Sequence, residues 1–324
     1  MPMLRFTPPD HPPTPGEKVR VRAPGKINLA LEAGPKEPSG YHELATVFLA
    51  VDLYEDLTVT LTEEPGIEIA ISPASQAYGA SSSTPLGDDN LVAQAARALD
   101  SNGYLDTFGL HIEITKNVPI AGGMAGGSAD AAATLVACDY LWRLNSSRED
   151  LDAVARELGA DVPFCLLGGL ALGVGRGDQL SPILSRGHTH WALIFSDKGL
   201  STPKVFAALD RLRAERGEDP GRPEISRELL SALNHGDVEE IAAYLNNDLQ
   251  APAVKLDRNL GGVMNFAEAM GALRAIISGS GPTIACLMDG EEDAHEFVAE
   301  LLEQNVNALQ ASGPVPGAAI IATN

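Results

Sequence analysis

The sequence predicts an α+β fold, and three observations predict it. Segments 56–62, 66–72 and 110–115 alternate apolar and polar residues, the period of a strand with one buried face. Ala294, Phe297, Val298, Leu301 and Leu302 recur at the spacing of an amphipathic helix. Strands and helices mix along the chain without the β-α alternation that a doubly wound sheet needs. At 324 residues the chain can hold two domains of roughly 150 residues each. Aromatics are only 5%, so aliphatic side chains and alanine must build most of the core.

Taken in order, residues 1–18 carry Pro2, Pro8, Pro9, Pro12, Pro13 and Pro15 and read as a flexible leader. Residues 19–185 read as an N-terminal domain. The strands at 56–62 and 66–72 are separated by Glu63-Glu64-Pro65, a turn, and 73–88 is a Ser-, Ala-, Gly- and Pro-rich loop. Leu91–Leu99 is an alanine-rich helix, and a second runs from Ala129 to Leu144. Ser147 with Asp150 has the spacing of a capping box, and that helix ends at Gly159. Leu166–Val174 reads as a glycine-rich strand. Pro182 and Gly187 interrupt the pattern, so residues 186–324 read as a C-terminal domain. It holds strands at 192–195, 283–288 and 318–322 and helices near 203–215, 225–234, 237–245 and 294–302.

Lys+Arg is 23 against 44 Asp+Glu, a formal net charge of −21. Nucleic acid and anionic membrane both require a cationic face, so neither is an expected partner. No window approaches 18 unbroken apolar residues, so no membrane span is expected. Cys138, Cys165 and Cys286 are odd in number and scattered. They support neither a disulfide framework nor a zinc site and fit the reducing cytoplasm.

Four segments could carry chemistry. In Val118-Pro-Ile-Ala-Gly-Gly-Met-Ala-Gly-Gly-Ser-Ala-Asp130, four glycines and a serine stand between a strand and a helix. There, backbone N–H groups and the helix dipole suit a polyphosphate better than a plain flexible turn would. It is no P-loop, because no Gly-x-x-x-x-Gly-Lys-Ser/Thr occurs. Lys26 sits in the strand-like apolar segment Ala23–Leu29, where it is either an edge lysine or the partner of an acid or phosphate. Asp161, in Gly159-Ala-Asp-Val-Pro, is either a helix N-cap or turn former, or a carboxylate held on a rigid turn to accept a proton. Ile277-Ser-Gly-Ser-Gly-Pro-Thr283 is either a turn or a second loop of N–H groups facing the same ligand.

The order of these four segments resembles the GHMP kinase superfamily over about residues 20–290. Ser39-Gly-Tyr-His-Glu-Leu-Ala-Thr-Val-Phe48 and Thr202-Pro-Lys-Val-Phe206 are similar to segments of its 4-diphosphocytidyl-2-C-methyl-D-erythritol kinase family. The glycine loop departs from the commoner Gly-Gly-Gly-Leu-Gly-Gly-Gly-Ser-Ser at Met124, Ala125, Ala129 and Asp130, and Gly25 stands where alanine is commoner. The resemblance implies a two-domain GHMP kinase fold. Its N-terminal half would be ribosomal protein S5 domain 2-like and its C-terminal half ferredoxin-like.

It also implies ATP as co-substrate with Mg2+, and a small-molecule acceptor carrying a cytidyl diphosphate group. The reaction would phosphorylate the acceptor's 2-hydroxyl in the methylerythritol phosphate route, in a monomer or homodimer. Lys26 and Asp161 are then the catalytic pair, and Asn28 fixes the acceptor hydroxyls. Pro119, Ile120, Ala121, Gly122, Gly123, Met124, Ala125, Gly126, Gly127, Ser128 and Ala129 wrap the triphosphate. Tyr41 and Phe206 sandwich the cytosine, whose edge His42 reads. No metal ligand is assigned, although Ser128 would lie near the ion. Asn90 and Lys116 fall where adenine contacts are expected. The rival readings are another GHMP kinase acting on homoserine or mevalonate, and a nucleotide-binding module without catalysis.

Overall fold

The computed structural model describes residues 10–76, 84–196 and 198–324. Residues 1–9 of the expected leader and 77–83 of the expected loop lie outside the described residues.

The frame is a long antiparallel hairpin of β1 (Lys18–Lys36) and β2 (His42–Thr62). Only its outer third shows the alternating pattern read at 56–62. Residues 23–31 and 45–51 are buried throughout, so they carry no period by which a strand could be recognised. The hairpin belongs to an eight-stranded sheet with β3 (Gly66–Ile71), β4 (Gly109–Thr115), β5 (Leu170–Gly175), β6 (Gln179–Pro182), β8 (Asn246–Asn247) and β12 (Ala319–Thr323). The main path runs β12-β1-β2-β4-β3. After the turn at 63–65, β3 pairs not with β2 but in parallel with β4. Between them in sequence runs α1 (Leu91–Leu99), the helical crossover a parallel pair requires.

A second sheet has the order β11-β7-β10-β9, from β7 (Thr189–Ile194), β9 (Arg274–Ile277), β10 (Ile284–Met288) and β11 (Ala308–Gly313). One face carries α8 (Gln250–Leu256), α9 (Arg258–Ala269) and α10 (Glu291–Glu303) through Ala253, Met264, Phe297 and Leu301. The other face packs Trp191, Leu193 and Leu287 against Ile27, Leu29, Val47 and Leu49 of the hairpin. The hairpin's outer half instead packs Val19, Leu57 and Val59 against α1 and α2 (Gly126–Leu141). One pair of strands thus serves both cores and carries its middle into the cleft between them.

The helices expected near 203–215, 225–234 and 237–245 are α5 (Thr202–Arg216), α6 (Arg227–His235) and α7 (Val238–Tyr244). The Ser147–Asp150 capping box opens α3 (Arg148–Leu158), and Gly159 caps its end. The strand expected over 166–174 begins only at Leu170, because α4 (Val162–Leu167) occupies its start. Gly168 and Gly169 follow at φ +67° and +70°, a left-handed pair that ends the helix and redirects the chain into β5. All three cysteines are buried and free, and no helix among the described residues is long and apolar enough to cross a membrane.

Candidate active site

Two cavities meet at the glycine loop. The first, of about 490 Å3, is lined by Lys26, Asn28, Asp161, Tyr41, His42 and Phe206 among others. The second, of about 350 Å3, is lined by Asn90, Lys116, Asp130 and loop residues Pro119–Gly123 and Ala125–Gly127. Gly123 and Ala125 border both.

The loop ends differently from the sequence expectation. Helix α2 begins at Gly126, so Gly126, Gly127 and Ser128 form its first turn. Ala125 at the N-cap takes φ +62° with no side-chain cap, which leaves the first N–H groups of a 16-residue helix to an outside partner. Met124 is fully buried and its carbonyl accepts the Lys26 N–H at 3.1 Å. Ala129 is buried too, so both shape the loop rather than face the cavity. The Ser128 side chain is half-buried.

The segment 277–283 is the clamp behind this loop. Ser278 Oγ donates to Gly123 O at 3.0 Å, and Thr283 N–H donates to Gly122 O at 3.2 Å. Asn247 Nδ2 in turn donates to Ile277 O and Gly279 O at 2.7 and 2.8 Å. A Cβ on Gly123 would fall 2.2 Å from Ser278 O, so no side chain fits there.

Lys26 and Asn28 alternate with Ile27 and Leu29 on β1, so both polar side chains leave the core on the cavity face. Lys26 Nζ donates to Asn28 Oδ1 at 2.8 Å and lies 5.4 Å from the Phe48 ring centroid. Asn28 Nδ2 donates to Thr46 Oγ1, and Thr46 donates on to Ala30 O. Lys26 is 4% exposed as a residue, and its ammonium meets no carboxylate within 4.0 Å among the described residues. A charge so desolvated calls for an anion, and the cavity is where one can come from. Asp161 stands at the N-cap of α4, but its side chain caps nothing and lines the same cavity. Side-chain capping, one of the sequence readings, is therefore absent at Asp161.

The aromatic end is built on α5. Phe206 stacks on His42 at 5.0 Å, and His42 Nε2 hydrogen-bonds Asp210 Oδ1 at 2.8 Å. Tyr41 is 61% exposed, with the Arg176 guanidinium 5.4 Å from its ring centroid.

Beneath the second cavity lies a charge cluster that the sequence reading missed. Lys116 Nζ sits 2.7 Å from both Glu55 Oε1 and Asp130 Oδ2, all three being buried. Burial and the facing Asp130 carboxylate push Glu55 up to about 8. Burial raises Asp130 as well, while the two carboxylates outweigh burial at Lys116 and hold it above the ordinary lysine value. Glu55 also accepts from the Asn117 and Val118 N–H groups, tying β2 to the start of the loop. The signal for Glu55 was present: it shares parity with the inward-facing Leu57, Val59 and Leu61.

Residues 90–169 match the GHMP kinases N terminal domain, and residues 229–307 match GHMP kinases C terminal. A 4-diphosphocytidyl-2-C-methyl-D-erythritol kinase of Pseudarthrobacter chlorophenolicus is 50% identical over 304 residues, 94% of this chain and 95% of the relative. A crystal structure of 4-(cytidine 5'-diphospho)-2C-methyl-D-erythritol kinase superposes with a TM-score of 0.72 at 30% identity, covering 90% of this chain and 98% of that one. Homoserine kinase from Cytophaga hutchinsonii has a TM-score of 0.71 at 20% identity, covering 98% of this chain and 100% of that one, a likeness of fold alone.

Proposed function

The chain belongs to the 4-diphosphocytidyl-2-C-methyl-D-erythritol kinase family of the GHMP kinases, and from that premise we propose how its own residues perform the transfer. It is an ATP-dependent small-molecule kinase acting on 4-diphosphocytidyl-2-C-methyl-D-erythritol, an isoprenoid-precursor route enzyme with the two-domain α+β GHMP kinase fold. The observation that carries the residue assignment is the shared wall: Gly123 and Ala125 border a nucleotide-side and an acceptor-side cavity at once.

ATP lies in the second cavity, its triphosphate wrapped by Pro119–Gly123 and Ala125–Ser128 and facing the N-terminus of α2. Asn90 and Lys116 line the nucleoside end. The acceptor lies in the first cavity, its cytosine against Tyr41 and Phe206 with His42 at the ring edge. Asn28 holds the hydroxyls. Asp161 takes the proton of the 2-hydroxyl as that oxygen bonds to the γ-phosphorus. The bond to the β-γ bridging oxygen breaks and ADP leaves. Lys26 stabilises the negative charge on the transferring group. The protein's part is therefore positioning and charge, with one carboxylate for the proton.

The residues fit Mg2+ carried on the nucleotide. Among the described residues no three His, Cys, Asp or Glu side chains converge on a metal position, and a phosphate-borne ion needs only one or two protein oxygens. The Ser128 hydroxyl, on the first turn of α2 and without a hydrogen bond among the described residues, would hold it. Bound there, the ion would neutralise phosphate charge.

An ADP-release assay offering 4-diphosphocytidyl-2-C-methyl-D-erythritol, homoserine and mevalonate tests the acceptor. Turnover should depend on the first alone. Equal or faster turnover on either other alcohol would overturn the reading, as would ATP binding with no acceptor-dependent release.

A further inference from the structure

Asp161 opens a helix too short to hold itself. Helix α4 is six residues long, with Pro163 in its first turn, and so brief a helix is marginal without partners. What fixes Asp161 must therefore come from elsewhere in the chain, and the segment between β11 and β12 supplies it. Those two strands belong to different sheets, so residues 314–318 cross from one half of the molecule to the other as a strap. The strap runs past the C-terminal end of α4. Ala318 N–H donates to Cys165 O at 2.9 Å, and Cys165 N–H donates to Asp161 O at 3.1 Å. Two backbone hydrogen bonds thus lead from the strap to the aspartate. The strap is itself moored: Gly169 N–H donates to Val315 O at 2.7 Å, and Val315 N–H donates to Ala50 O of β2 at 3.2 Å. Val315 also packs against the cluster of Phe48, Phe164 and Ala171, in which Phe164 of α4 meets Phe48 at 4.9 Å.

The approach is closest at Gly317, which is buried. A Cβ there would fall 2.1 Å from Leu166 O, and a Cβ on Gly168 would fall 2.0 Å from Gly317 N. Backbone lies against backbone, with no room for a methyl group on either side.

We propose that Gly317 is a positioning residue: by letting the strap lie flush against the end of α4, it holds Asp161 in register with the acceptor hydroxyl. The inference rests on the reading of Asp161 as the proton acceptor. A Cβ at 2.1 Å needs more than about 1 Å of separation to reach ordinary van der Waals contact. A base must stand within hydrogen-bond reach of its proton, and a misplacement of about 1 Å can cost about 10²-fold in rate. Gly317 lines neither the nucleotide-side nor the acceptor-side cavity, so it reaches the reaction through α4 and not through either ligand.

The test measures kcat, both KM values and Tm for Gly317→Ala, Val315→Ala, Asp161→Asn and each strap variant combined with Asp161→Asn. Gly109→Ala is the control: Gly109 opens β4, lines neither cavity, and would set a Cβ 2.1 Å from the Glu64 carbonyl. Gly317→Ala should lower kcat about 10- to 100-fold with the KM for ATP within about twofold. Val315→Ala, which thins the strap's packing without a collision, should fold and lower kcat about two- to fivefold. Gly109→Ala should lose a similar amount of Tm and keep kcat within about twofold. Each double variant should turn over within about twofold of Asp161→Asn alone, because a strap acting through Asp161 then has nothing left to position. Undiminished kcat in Gly317→Ala, an equal loss of kcat in Gly109→Ala, or losses that multiply in the double variants overturns the role of Gly317 while the reading of Asp161 stands. Where Gly317→Ala does not fold, Val315→Ala decides, and an unchanged kcat there overturns the proposal. Near-wild-type turnover in Asp161→Asn overturns the reading of Asp161, and the inference with it.

Discussion

At Lys26 and Asp161 the proposed chemistry depends on what each side chain does not do. Lys26 is buried beside a neutral amide and a phenyl ring, and Asp161 leaves its helix uncapped. Both are thus available to a ligand. Asp161→Asn should lower kcat by about 10²- to 10⁴-fold, the usual contribution of a positioned base, with the KM for ATP within about twofold. Steady-state kinetics check this, and near-wild-type turnover would remove Asp161 from the proton path. These two candidates could be singled out in the sequence because each sits in a short contiguous motif. Glu55 could not be, since it meets its partner Lys116 only across the fold.

Among the elements, the glycine loop and α2 are the most constrained. Ala125 takes φ +62°, where a Cβ costs about 1 kcal/mol relative to glycine. Ala125→Gly should therefore raise stability by about 1 kcal/mol in denaturant unfolding and leave the KM for ATP nearly unchanged. Gly123→Ala should do the reverse, because its Cβ would collide with the Ser278 carbonyl at a φ of +78°. A loss of about 2 kcal/mol or more, with a raised KM for ATP, is expected. The sequence placed this loop between a strand and a helix but put the helix start at Ala129, three residues late. Composition disfavours glycine in a helix, whereas Gly126 is confined by Glu55 and Val118, against which a Cβ would press.

The same loop is underpinned by Glu55, Lys116 and Asp130, two carboxylates around one ammonium. Glu55 has an ordinary value of 4.5 when unfolded and about 8 when folded, so the folded state holds the proton more tightly. Stability from this group is complete below about pH 4.5 and is lost progressively as pH rises through about 8. Glu55→Gln leaves Lys116 with Asp130 alone and should flatten the fall in stability between about pH 4.5 and pH 8. Denaturant unfolding at several pH values checks it, and an equally steep fall in the variant would contradict the raised value of Glu55 as its cause.

For the whole molecule, the two halves are joined by strands as well as by the cavity. From the C-terminal half, β8 pairs with β1, and the last strand, β12, pairs along the outer edge of the same β1. Deleting residues 319–324 should expose that edge and lower Tm by several degrees, read by scanning calorimetry. An unchanged Tm would show that β12 is not part of the cooperative unit. The charge of −21 is compatible with anionic substrates at this scale, because the groups proposed to face phosphate are backbone N–H, a helix N-terminus and Lys26. Many of the acids are spent elsewhere, as in the exposed Glu291, Glu292 and Asp293 that open α10.

The sequence by itself determined the α+β class, the family and the order of the phosphate loop, the lysine strand and the aspartate turn. Each is written in residues adjacent in the chain, where backbone geometry and short-range chemistry act directly. Only the tertiary structure decided that Ser278 and Thr283 brace the glycine loop and that Glu55 reaches Lys116. It alone brought Asp210 to His42 and laid β12 beside β1. Such partners are chosen by packing between distant segments. A polar residue destined for a buried pair has, before folding, the same local sequence signature as one destined for solvent.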